Sequence, residues 1–343
     1  MKFPKQVYLG KSGLKISPIV VGCMSYGSKK WADWVIEEKE EVFKLLKYCY
    51  DHGLRTFDTA DVYSNGESEI LLGEFLKQYK IDRETVVILS KVFCPVREGL
   101  LLSSRVSAVN EKIELDMCNQ KGLSRKHILD GVSKSVARLG TYIDVLQIHR
   151  LDRETPMEEI MKALNDIVER GDALYIGASS MRATELAELQ FIAEKHNWTK
   201  FISSQSCYNL LLREDEKEVI PFTQKHGIGL IPWSPNARGL LTRPHGVETG
   251  RSQTDNGLYS IGLDKLGESD IEIIQRVQQL SEQKKVSMAA IATAWVMSKG
   301  CNPILGLSSI ERIDQALKAL ETQLTEEEKQ FLEEPYQTKK LII

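Results

Sequence analysis

Ile143-Asp144-Val145-Leu146-Gln147-Ile148-His149, the segment from Arg150 to Gly171, and then Ala173-Leu174-Tyr175-Ile176-Gly177-Ala178 form the stretch from which the fold can be read. The first run is short, apolar and rich in β-branched residues, as a strand requires. After it, Thr155, Pro156 and Glu158 have the order of an N-cap, an N1 proline and a capping-box acid, and Gly171 stands where a C′ glycine stops a helix. Between them Met157, Ile160, Met161, Leu164, Ile167 and Val168 line one face at helical spacing. Strand, helix and strand in that order imply a parallel sheet with a crossover helix.

The same alternation extends outward in both directions. It predicts strands at Ile19–Cys23, Thr56–Asp58, Val86–Lys91, Ile143–His149, Ala173–Ala178, Phe201–Gln205, Ile228–Pro232 and Pro303–Gly306. A further helix is expected from Ser124 to Gly140, with Ile128, Leu129, Val132, Val136 and Leu139 on its apolar face. Eight such pairs close as a barrel, whereas a doubly wound sheet usually stops at five or six strands and carries a Gly-rich turn after the first. Met24-Ser25-Tyr26-Gly27 follows the first strand here, so that turn is absent. The expected fold class is therefore α/β: a (β/α)8 TIM barrel, one domain over residues 1–343. Val7–Leu9 and Leu14–Ile16, joined through Lys11-Ser12-Gly13, read as an N-terminal β-hairpin capping the barrel bottom. Thr325 to Glu328 opens an extra C-terminal helix, and the polar stretch 94–123 reads as an insertion folding over the mouth.

Composition sets the function classes aside quickly. With 42% hydrophobic and 27% charged residues and a formal net charge of −3, the chain can bury a core but lacks the basic excess that a nucleic acid or an anionic membrane would need. Met1 to Gly10 has no secretory apolar run, and no stretch is long and apolar enough to span a bilayer, so a cytoplasmic protein is expected. The six cysteines are scattered singly and no histidine has a partner three or four positions away. No metal site is expected. Lys11-Ser12 after Gly10 resembles the tail of a phosphate-binding loop, but the earlier glycine that such a loop needs is Lys5.

Catalytic residues of such barrels come from the C-terminal ends of different strands. Asp58 ends the second strand, Tyr63 lies in the loop after it, Lys91 ends the third and His149 ends the fourth. A lysine buried at a strand end needs an acid, and Asp58 is the candidate on the adjacent strand. Its ammonium, beside a tyrosine hydroxyl, is expected to pull the phenol down from about 10 and make Tyr63 a proton donor. His149 could hold the accepting oxygen by a neutral hydrogen bond. No nucleophile sits beside a base and there is no carboxylate pair, so the group fits protonation of a carbonyl oxygen, with the hydride supplied by a cofactor. Trp34, in the first βα loop, is a candidate wall of the substrate pocket, ahead of Trp31.

With these residues placed, the sequence closely resembles the aldo-keto reductase superfamily, in the branch of aryl-alcohol dehydrogenase-like and potassium-channel β-subunit-like members. The resemblance covers nearly the whole chain and is most specific at Phe57-Asp58-Thr59-Ala60 with Tyr63, at Ser90-Lys91, and at Asp144 to Arg150. It implies that Asp58, Tyr63, Lys91 and His149 are a catalytic tetrad. It implies too that Ser179, Ser180 and Gln205 hold a nicotinamide carboxamide, and that Trp233 stacks on the ring, with Ser234 and Leu240 in the following loop. Gly306, Ser308, Arg312 and Gln315 match the segment that binds the adenosine end, Arg312 as the 2′-phosphate arginine, which implies NADPH. Ser180 stands where Asn is commoner, Gly306 where some members carry lysine, and Ala316 where Asn is frequent. The implied activity is NADPH-dependent reduction of a small-molecule aldehyde or ketone, with no macromolecular partner and an open oligomeric state. Two other classes stay in view: a subunit that senses NADPH with slow turnover, and a barrel hydrolase or lyase that uses no nucleotide.

Overall fold

In the computed structural model, which describes residues 3–97, 111–247 and 257–340, the alternation becomes a small hairpin and one eight-stranded sheet. The hairpin strands are β1 (Val7–Tyr8) and β2 (Lys15–Ile16), paired antiparallel. There follow β3 (Val20–Gly22), β4 (Thr56–Asp58), β5 (Val87–Val92), β6 (Ile143–Ile148), β7 (Ala173–Ser179), β8 (Phe201–Gln205), β9 (Gly229–Leu230) and β10 (Ile304–Gly306). They lie in the order β10-β3-β4-β5-β6-β7-β8-β9 with every neighbouring pair parallel. The seam is joined by two backbone bonds, Asn302 N–H to Leu230 O at 2.8 Å and Ile304 N–H to Pro232 O at 2.9 Å. The sheet thus curls into the (β/α)8 barrel that the sequence pattern implies.

Alternation along each strand divides the core into two layers. Val145 joins Leu9, Ile16, Val20, Leu89, Ile231 and Ile304 inside the barrel, whereas Leu146 and Ile148 face outward into the layer shared with the helices. Gln147 and His149 therefore project to the same side as Val145, one and two steps nearer the mouth. The hairpin sits at the opposite end, with Lys11 N–H donating to Gly227 O at 2.8 Å. At Gly10 (φ +59°) a Cβ would come within 2.3 Å of that same oxygen, so only glycine permits the approach.

Element ends follow the local chemistry. Ser124 caps the helix Arg125–Leu139 by accepting from His127 N–H, and Gly140 at φ 67° ends it. Thr325 and Glu328 form the reciprocal capping box of the helix Glu326–Glu333. The helix expected from Pro156 begins one residue later, at Met157. Thr155 is not its cap, because its hydroxyl donates instead to Asp152 Oδ2 at 2.7 Å. Thr56–Asp58 and Phe201–Gln205 coincide with expectation, whereas Ile228–Pro232 keeps ladder pairing only at Gly229 and Leu230. Of the stretch 94–123, residues 98–110 lie outside the described residues, and Glu111–Met117 is a helix rather than loop. Among the described residues no helix is long and apolar enough to cross a membrane, and no cluster of three His, Cys, Asp or Glu could hold a metal ion.

Candidate active site at the barrel mouth

Three neighbouring strands bring Asp58, Lys91 and His149 to one corner of the mouth, and a tight turn returns Tyr63 to it. That turn, Tyr63–Gly66, places Ser64 at φ 49° and Asn65 at φ 56°, a region Asn tolerates better than most residues. Asn65 fixes it from the side: its Nδ2 donates to Arg97 O at 2.6 Å and its Oδ1 accepts from Arg97 N–H at 3.0 Å.

The Lys91 ammonium has three protons and three acceptors: Asp58 Oδ2 at 2.5 Å, Thr59 O at 2.8 Å and Tyr63 Oη at 3.1 Å. Asp58 is held in turn, its Oδ1 accepting from Gln147 Nε2 at 3.0 Å and Gln205 Nε2 at 2.9 Å. Every polar atom of the pair is matched, which is what permits two charges at this depth. Because Tyr63 Oη accepts from Lys91, its own proton is directed away from the ammonium, and Tyr63 lines the open cavity. His149 stands edge-on to it, ring centroids 5.8 Å apart at 84°.

Electrostatics correct one expectation. Burial pushes the Tyr63 phenol up; Lys91 pulls it down, but Asp58 opposes that pull, and the phenol ends above its ordinary value. Burial is the largest of these effects, so the expected net acidification by Lys91 does not occur. Burial pulls the Lys91 ammonium down, yet Asp58 and Tyr63 outweigh it and leave it above its ordinary value. Burial, then the charges of Lys91 and Arg150, hold His149 well below the usual imidazole range. The mouth therefore presents a protonated phenol and a neutral imidazole, a donor pair suited to an oxygen that gains negative charge.

These groups open onto a cavity of about 590 Å³. Of the residues singled out from sequence, Asp58, Tyr63, His149, Gln205, Trp233, Ser234, Gly306, Arg312 and Gln315 line it. The others stand outside that lining. Lys91 sits behind Tyr63. Ser180, at φ 48°, accepts from Trp233 Nε1 at 3.3 Å and has Ser179 Oγ 3.5 Å away, so the two serines support the indole from behind. Ser308 Oγ accepts from Arg312 Nη1 at 2.6 Å. Leu240 packs into the apolar cluster that includes Leu241 and Trp295. Trp34 lies edge-on to Trp31, and it is Trp31 whose ring approaches Tyr63, at 6.2 Å.

Among the lining or supporting residues that went unassigned from sequence are Gln147, Arg150, Asn236 and Arg243. Gln147 was readable, since it lies two positions before His149 on the same strand and so shares its face. The loop residues carry no comparable signal.

The end of the cavity away from Tyr63 is cationic. Ser309 caps the helix Ile310–Glu321 by accepting from Arg312 N–H at 3.2 Å, and the first-turn amides of such a helix lack intrahelical acceptors. Arg243 lines the same cavity, donating to Gly239 O at 2.7 Å and Val247 O at 2.8 Å. Burial and the charge of Arg312 hold Arg243 below its ordinary pKa. Neither arginine is ion-paired among the described residues, so this end suits an anion.

The sequence pattern of the aldo/keto reductase family matches residues 18–336. The chain belongs to that family. It is 64% identical over 336 residues to a Saccharomyces cerevisiae protein named "Putative aryl-alcohol dehydrogenase AAD16", covering 98% of each chain. It is also 52% identical over 330 residues to the versiconal hemiacetal acetate reductase of Aspergillus parasiticus, covering 96% of each chain. The aldo-keto reductase AMT2 of Alternaria alternata is 43% identical over 334 residues, with 96% of this chain and 90% of that protein covered. As an aldo/keto reductase the chain is an oxidoreductase of carbonyl chemistry, and its family works with a nicotinamide nucleotide. The donor set of this aldo/keto reductase fits such a ligand: an indole face and amides at the Tyr63 end of the cavity, the guanidiniums of Arg243 and Arg312 and a capped helix N-terminus at the other.

Proposed function

We propose that this aldo/keto reductase reduces aldehydes and ketones to alcohols with NADPH, Tyr63 acting as the general acid. The observation that carries the reading is the 3.1 Å bond from Lys91 to Tyr63 Oη, which leaves the phenolic proton facing the cavity. When bound, the reduced nicotinamide supplies the hydride to the carbonyl carbon. The chain does the rest. Tyr63 gives its proton to the oxygen as charge develops there, and the Lys91 ammonium, fixed by Asp58, steadies the phenolate that is left. His149, neutral, donates a hydrogen bond to the same oxygen and selects its position.

Trp233 would offer its indole face to the nicotinamide, with Ser179, Ser180 and Ser234 around it. Gln205 commits its Nε2 to Asp58 and to Gln147 Oε1 at 2.8 Å, so its amide oxygen is the group left to accept from a carboxamide. Arg312 and Arg243 would hold the 2′-phosphate and Gln315 the adenine, with Gly306 in the wall, Ser308 steadying Arg312 and Leu240 packed behind. The name of the yeast relative points toward aromatic substrates.

Tyr63→Phe removes the proton and keeps the ring. Reduction of a benzaldehyde should fall by about 10²- to 10⁴-fold, while NADPH still quenches tryptophan fluorescence with unchanged affinity. Turnover close to that of the unmodified protein would refute the assignment.

A further inference from the structure

Arg150 follows His149 directly and lines the cavity with Tyr63 and Trp233. Its Nη1 donates to the carbonyl oxygen of His149 at 2.6 Å, and its guanidinium carbon lies 5.9 Å from the centre of the Trp233 ring. A guanidinium has five N–H donors. Only one is committed here among the described residues, and the uncommitted edge, Nε–H beside Nη2–H, is the one whose two parallel donors match the two oxygens of a carboxylate.

Three other half-buried arginines of this chain are each paired with an acid: Arg83 with Asp144, Arg138 with Glu69 and Arg213 with Glu216. Arg150 is half-buried and has none among the described residues. Asp58 does not serve as its counter-ion, since that carboxylate is paired with Lys91. A charge kept partly out of water without a counter-ion costs stability unless a ligand brings the opposite charge. The charge of Arg150 is felt by Tyr63 and His149, whereas Arg243 feels that of Arg312. Of the cavity's arginines, Arg312 and Arg243 thus stand at the anion-binding helix end and Arg150 beside the reacting groups.

We propose that Arg150 is a specificity residue that binds a carboxylate carried by the carbonyl substrate, so that aldehyde and keto acids are favoured over neutral carbonyls of the same shape. The proposal rests on the reading of the site as a carbonyl reductase. The Trp233 ring beside Arg150 adds an apolar surface, which suits an aromatic or short alkyl spacer between the carboxylate and the carbonyl.

The test compares 3- and 4-carboxybenzaldehyde with their methyl esters, using the full chain and NADPH. In the unmodified protein at least one acid should exceed its ester in kcat/KM by about tenfold or more, the range of a charge-assisted pair. Added salt should narrow that ratio. Arg150→Met should bring it to about one or below, and Arg150→Lys should restore part of it. The ratio is internal to each variant, so turnover of the ester also reports that the variant is folded. Absence of an acid preference for both isomers, or a preference that survives Arg150→Met, overturns the proposal while leaving carbonyl reduction standing. If neither acid nor ester is reduced, carbonyl reduction itself fails, and a benzoate titration followed by tryptophan fluorescence decides. Binding at least tenfold tighter than that of Arg150→Met sustains the carboxylate site, and equal binding removes it.

Discussion

Tyr63 Oη and Lys91 Nζ lie 3.1 Å apart, and the same ammonium is 4.7 Å from the centre of the tyrosine ring. Asp58 holds that ammonium at 2.5 Å from the other side, and both partners of the ion pair are closed off from solvent. At Tyr63, burial together with the Asp58 carboxylate outweighs the pull of the cation. What Lys91 supplies is chiefly direction: a donor to the phenol oxygen, which turns the phenolic hydrogen toward the cavity. The arrangement also depends on completeness, because each charge is tolerated only while the other is present.

Removing one partner should therefore be far worse than removing both. Lys91→Met leaves the Asp58 carboxylate buried with two amide donors and no cation, and should cost about 3–5 kcal/mol of stability. Asp58→Asn combined with Lys91→Met removes the orphaned charge and should recover most of that loss. Urea denaturation of the two variants checks this. Equal destabilisation would mean that the pair is not held by mutual charge.

The pH profile of reduction follows from two directions of shift. The phenol stays above its ordinary value of about 10 and the imidazole below its ordinary value of about 6.5. Tyr63 is then protonated and His149 neutral across the neutral range. kcat/KM should be flat from about pH 7 to 9 and decline only above about 10. A limb near pH 6.5 that vanished in a His149 variant would show that the imidazole titrates normally and contradict this account.

Much of this architecture was legible in the chain because periodicity and caps are local. Ser124, Gly140, Thr325 and Glu328 fix helix ends by bonds to their own neighbours, and strand ends must share one rim of a barrel. That logic was enough to gather Asp58, Tyr63, Lys91 and His149. Thr155 misled because a tertiary acceptor, Asp152, captured its hydroxyl. Arg243 was missed for the opposite reason: it reaches the cavity from the irregular segment after β9, where no period constrains direction. The direction of the Tyr63 shift was misjudged because a pairwise reading counted Lys91 and left out the burial of the phenol, which Asp58 reinforces.

Arg312 and Arg243 should govern the choice between phosphorylated and unphosphorylated nucleotide. Both line the anion-binding end, and the hydrogen bonds they make among the described residues go to the neutral oxygens of Ser308, Gly239 and Val247. Arg312→Met should weaken NADPH binding by about 10- to 100-fold, as loss of a charge-assisted contact does, and change NADH binding much less. The NADPH affinity of the unmodified protein should also fall with added salt more steeply than its NADH affinity. Fluorescence titrations with both nucleotides measure this, and a parallel loss for the two would remove Arg312 from the 2′-phosphate site.

Asp215 offers a prediction about stability rather than chemistry. Burial, with smaller contributions from Glu218 and Glu214, pushes its carboxyl up to about 6 even though the Ser206 hydroxyl donates to it. In the unfolded chain the same group titrates near 3.9. Between those values the folded state keeps a proton that the unfolded state has lost, so stability falls as pH rises through the window and the full penalty applies above it. At neutral pH that penalty is on the order of 2–3 kcal/mol, two units at about 1.4 kcal/mol each. Asp215→Asn keeps an acceptor for Ser206 and abolishes the charge. It should raise the unfolding free energy at pH 8, with the gain shrinking between about pH 6 and 4. A gain that is constant over that range would mean that packing, and not ionisation, sets the effect. Because the Ser206 carbonyl accepts Trp233 N–H at 2.9 Å, NADPH affinity measured on the same variant reports whether relieving the charge also shifts the indole.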